Sequence, residues 1–286
     1  MPIDSSIILW CVFLPMLVML VGSLASRHAD SDVQAYSRSA AILGGSFWFA
    51  MLVALYGIDK LGSEASAFLP EYSWALVIYA ILASAFLISP HAISTFRYEP
   101  GLWVLTSLVA VVSAAVVMPT GPGWEDTLPM HKLWIPAVSV ATICNSWALH
   151  RMCFRNADRW VTLVILAGLA CPALIGAATF SALFHLCLAA IAVTTVVAIF
   201  AALGRLHAAP AIIFPSMLIA STMVSAGRFN NYSEVPKAAY AVALFCPSLV
   251  AMSDRVLKGK SVAVRISAAA ITAVAIIIAV AVYFLR

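Results

Sequence analysis

At 286 residues, with 64% hydrophobic and only 10% charged residues and a mean hydropathy of +1.03, the chain lies far from a water-soluble domain, where charged residues make up roughly a quarter. A formal charge of +4 does not point to nucleic acid, because the basic residues are scattered through short connections and do not gather on one face. The composition is that of an integral membrane protein, a single all-helical domain (1–286) whose first partner is the lipid bilayer.

A helix rises about 1.5 Å per residue and the hydrocarbon core is roughly 30 Å thick, so one crossing takes about 20 apolar residues. On that ruler the chain predicts a polytopic bundle of about ten spans: Ile7–Ala25, Ala40–Ile58, Trp74–Ser89, Gly101–Met118, Leu133–Ala148, Trp160–Thr179, Leu183–Leu203, Pro210–Ser225, Lys237–Met252 and Ile266–Leu285. The first resembles a signal-peptide core, with small residues at Ser23-Leu24-Ala25. Its leader has no Lys or Arg and carries Asp4, so an uncleaved first helix is expected. Between the sixth and seventh, Ala177-Ala178-Thr179-Phe180-Ser181 supplies almost no polar break, which leaves a nine-span count open. Trp48, Trp74, Trp103, Trp134 and Trp160 fall near segment ends, at the headgroup level that amphipathic rings favour.

Connections after the odd-numbered spans hold Arg27, Arg38, Arg97, Arg151, Arg155, Arg159, Arg205, Arg255, Lys258, Lys260 and Arg265, eleven cations. The other side holds five: Lys60, Lys132, Arg228, Lys237 and Arg286. Cytoplasmic connections carry the excess of Lys and Arg, so both termini are expected outside the cytoplasm, in a cytoplasmic (inner) membrane. The polar stretch His150–Arg159 then becomes a cytoplasmic turn between two five-span halves, 1–154 and 155–286. An odd number of spans in each half places the halves in opposite orientations, the arithmetic of an inverted repeat. Two echoes fit it. Phe96, Tyr98, Glu99 and Pro100 recur in order as Phe229, Tyr232, Glu234 and Pro236, and the first and sixth spans are interrupted by Pro15 and Pro172. Proline frees a helix carbonyl, and matched broken helices mark midplane sites in secondary transporters.

No Asp, Glu, Lys or Arg stands at the centre of any predicted span, which argues against a carboxylate-driven symporter or pump. The polar residues that remain are His185, a few positions inside the seventh span, and Asn145 in the fifth. With Pro15 and Pro172 they form the expected substrate path, although interhelical hydrogen bonding competes as Asn145's role. On the outer side, Glu125, Asp126 and His131 of the Pro/Gly-punctuated loop, with Arg228 and Glu234, sketch a vestibule. His150 and Cys153 share a helix face, but no zinc-ligand spacing accompanies them, and the six cysteines form no CxxC pair. No metal, cofactor or disulfide is expected, and no nucleotide or hydrolase motif appears. The reading that follows is a transporter or permease for an uncharged or weakly polar small molecule. The alternatives are a non-catalytic accessory subunit of a membrane complex and a lipid-modifying membrane enzyme. Substrate, coupling ion and oligomeric state are not legible.

Overall fold

The computed structural model of the protein describes residues 5–26, 33–60, 73–89, 100–119, 125, 128–156, 158–203, 209–229, 236–257 and 259–284. Among these the regular structure is helical: α1 (Ser5–Ala25), α2 (Val33–Lys60), α3 (Val77–Leu87), α4 (Pro100–Val117), α5 (Leu128–Asn156), α6 (Asp158–Thr179), α7 (Ser181–Ala202), α8 (Ile213–Phe229), α9 (Lys237–Leu244), α10 (Cys246–Val256) and α11 (Val262–Phe284). Every apolar segment anticipated above overlaps a helix, the ninth being shared between α9 and α10. Six stretches are long and apolar enough to cross a membrane: α1, Tyr36–Ile58, Thr162–Thr179, α7, Pro210–Phe229 and Ala263–Phe284. The pair α9 and α10, bent by 60°, makes a seventh if counted as one. Val77–Leu87 and Gly101–Val117 are apolar but shorter, and the 29-residue α5 falls outside the group because Asn145, Pro136 and its polar ends lower its hydropathy.

Burial orders the bundle from inside to outside. The whole apolar window around α8 is buried, against 28% of that in α1 and 17% of that in α11. The core helix α8 packs on α3, α4, α5, α6, α7 and α9. On α11, Ile271, Val274 and Ile278 are 69%, 54% and 56% exposed. At that helical spacing they make one apolar stripe, which in water would be a large exposed patch and in a bilayer is an ordinary lipid-facing side. Of the two helices that open the halves, α6 packs mainly on α7 and also contacts α5, α8, α9, α10 and α11, whereas α1 packs on α2 and α7.

Two local devices shape the elements. The sixth and seventh segments are separate helices, because Phe180 between them is extended (φ −149°, ψ 113°). The turn is tight, with Phe180 N–H donating to the Gly176 carbonyl at 2.9 Å. A Cβ on Gly176 would lie 2.5 Å from the Phe184 backbone nitrogen, so only glycine lets α7 fold back this closely on α6. In α1 the turn Leu9–Phe13 is a wide π turn, closed by Leu14 N–H to the Leu9 carbonyl. It lies directly before Pro15, whose ring cannot donate and crowds the carbonyl four residues back, and the wider turn accommodates both defects.

Candidate functional site

The most distinctive local structure is the interruption between α9 and α10. In an unbroken helix the Ser248 N–H would donate to the Leu244 carbonyl four residues earlier. Here the Asn145 side chain of α5 stands between them. Its Nδ2 donates to the Leu244 carbonyl at 2.9 Å, while its Oδ1 accepts from Ser248 N–H at 3.1 Å and from the Ser248 hydroxyl at 2.6 Å. The primary amide thus replaces a peptide group in the ladder, one of the recognised causes of a sharp helix kink. Asn145 is fully buried. It acts as an interhelical clamp at a broken helix, the hydrogen-bonding role that its sequence position suggested beside that of a path residue.

The second helix of the pair starts with Cys246 and Pro247. Proline in the first helical turn sacrifices no intrahelical bond, so Pro247 suits a restart after a break. It also fixes the neighbour: a Cβ on Gly168 of α6 would lie 2.6 Å from the Pro247 ring, and the Cys246 thiol points to the Ala167 carbonyl at 3.9 Å. The break is therefore held by α5 on one side and by a flat patch of α6 on the other.

Beyond the clamp, α5 and α10 diverge into a cleft of about 240 Å³ lined by Cys144, Trp147, Arg151, Ser248, Met252 and Arg255 among others. The Arg151 guanidinium stacks 4.5 Å from the Trp147 ring centroid. The cleft is bordered by Asp254, which is 4% exposed and paired with Arg265 of α11 at 2.8 Å. That pair ties α10 to α11 across a turn containing Gly259 at φ +102°, and Ser261 helps cap α11 by accepting the Val264 N–H at 3.4 Å. Sequence reading took Arg151, Arg255 and Arg265 only as markers of sidedness and passed over Asp254. The signal available was a lone acid among Arg255, Lys258, Lys260 and Arg265.

The other anticipated residues that the structure describes stand on several elements. Pro15 is buried in α1, and Pro172 is buried inside α6 without interrupting it. His185, half-buried in the second turn of α7, lies beside Phe184 with ring centroids 5.8 Å apart. The His131 ring packs edge-on, at 5.2 Å, to Phe229, the residue that follows Arg228 in α8. The Arg228 guanidinium lies 5.6 Å from the Tyr240 ring. Glu125 is exposed; Asp126 and Glu234 lie outside the described residues. His150, just past the fifth predicted span, is 1% exposed, and burial pushes its pKa down to about 3. Among the described residues no three His, Cys, Asp or Glu side chains gather in a way that would hold a metal ion. Set beside known protein families, curated proteins and solved structures, the chain matches none of them.

Proposed function

We propose that the protein is a transporter or permease for an uncharged or weakly polar small molecule, working at the interruption between α9 and α10. The supporting observation is that a helix breaks inside the apolar body and its freed carbonyl and N–H are held by a side chain of another helix. Non-helical backbone at membrane depth is tolerated where protein or a cavity satisfies it, and interrupted helices carry the substrate site in many secondary transporters. In this reading the ten apolar segments all cross a cytoplasmic membrane, with both termini outside and the turn at 150–159 inside. The lack of central charges favours uniport or exchange over ion coupling. Transport at the break requires no mirror relation between the halves.

The test is flux of a graded panel of neutral solutes into proteoliposomes, with Asn145→Leu and His185→Leu beside the parent. The expected result is uptake above empty liposomes for at least one solute, with Asn145→Leu the more impaired variant. Equal flux in all three would remove the break from the path. No flux for any solute would favour the second reading, a non-transporting accessory subunit. That reading has its own support: buried hydroxyls such as Thr106, Thr142 and Ser146 donate to carbonyls of their own helices.

A further inference from the structure

We propose that the cleft between α5 and α10 holds an anionic phospholipid, with the phosphate between Arg151 and Arg255 and an acyl chain along the apolar stripe leading away from them. The hydrogen bonds of Asn145 to Ser248 set the two helices level. Met152 and Asp254 then line a common pocket further along, so α5 and α10 run in the same direction. Arg151 stands six residues beyond Asn145 and Arg255 seven beyond Ser248, so both guanidinium groups are carried roughly 10 Å past the clamp, to the same level. Both are exposed.

The walls change character along the cleft as a lipid does. At the inner end are Ser248 and Ala251, then Ala148 with exposed Cys144 and Met252 (61%). Next comes Trp147, an interfacial ring stacked on Arg151, and last the two arginines. The acid at this level does not cancel their charge, since Asp254 is already paired with Arg265. Two arginines above an apolar slot open to the side fit a phosphate that carries acyl chains; a free anion would leave the slot uncovered. The arginine excess places this end on the cytoplasmic side, where basic pockets between helices take anionic headgroups. The inference stands apart from the transport reading and holds for an accessory subunit equally.

The test is native mass spectrometry of the full chain in mild detergent with equimolar phosphatidylglycerol and phosphatidylcholine. Retention of the anionic lipid is expected to exceed that of the zwitterionic one by roughly fivefold for each arginine, and to shrink as salt is raised. The double variant Arg151→Gln/Arg255→Gln should lose the preference, while Lys260→Gln, an exposed cation outside the cleft, should keep it. Equal retention of both lipids by the parent, or a preference unchanged in the double variant, would overturn the site. Displacement of the lipid by inorganic phosphate alone would overturn the lipid in favour of a free anion. The parent's salt response reads the charge dependence even if the double variant does not fold.

Discussion

Replacing Asn145 by leucine removes both halves of the clamp at once. The variant strands the Leu244 carbonyl and the Ser248 N–H, both of which Asn145 holds across the 60° bend. A buried polar group left without a partner costs about 1–3 kcal/mol, whereas interhelical hydrogen bonds in a membrane average about 0.6 and reach about 1.7 kcal/mol. One loss is partly recoverable: the Ser248 hydroxyl, released from Asn145, can turn to the carbonyl four residues back, which is that of Leu244. Two losses less one partial recovery leave a destabilisation of about 2–3 kcal/mol. Equilibrium unfolding in mixed micelles, followed by circular dichroism, measures it. Asn145→Leu and Ser248→Ala should also be non-additive, because they share a bond. A loss below about 0.5 kcal/mol, the range of an inconsequential surface change, would refute the clamp.

Asp254→Ala should destabilise by about 2–3 kcal/mol, less than the roughly 3–5 of a fully buried pair, because the Arg265 side chain keeps 14% exposure; the same unfolding assay reads it, and a change near zero would show that the pair contributes nothing. Gly176→Ala should cost about 1–3 kcal/mol by overpacking, since the new methyl meets backbone and not a yielding side chain; melting temperature is the readout, and an unchanged value would mean that α6 and α7 part freely. For His150 the folded pKa is depressed to about 3, below the ordinary value of about 6.5. Its contribution is therefore present above pH ~6.5 and lost as pH falls toward 3, where the unfolded imidazole binds the proton first. The melting temperature of the parent should fall over that window more steeply than that of His150→Gln; equal slopes would exclude the residue as the cause.

The long apolar helices were legible because they rest on composition over about 20 residues, a signal no local detail can mask. Helix ends were legible where polar residues or proline stand, as at Pro100 and at the start of α9 after Pro236. The separation of α6 from α7 was legible only weakly: the ten-span count placed it between Thr179 and Leu183, but the residues around Phe180 are apolar and the turn is made by backbone. Its trace in the sequence was Gly176, and glycine in a small-residue run reads equally as a packing surface. Burial was also hidden. The apolar window around α8 is wholly enclosed and that in α11 mostly exposed, yet both read as long apolar segments, since lipid and protein interior select similar side chains.

The same blindness explains the site. Hydropathy runs unbroken through Leu244-Phe245-Cys246, and it cannot register whether a carbonyl and an N–H four residues apart are joined to each other or to something else. Proline alone does not decide the matter: Pro136 and Pro172 sit inside continuous helices, whereas Pro247 opens a new one. At the last, a partner for the open carbonyl and N–H is in place, and it comes from Asn145, 99 and 103 residues away in the chain. A break in a membrane helix is thus a property of two sequence positions jointly. The information lay in the coincidence of one buried amide and one proline in separate apolar segments, each with an ordinary explanation until folding sets them side by side.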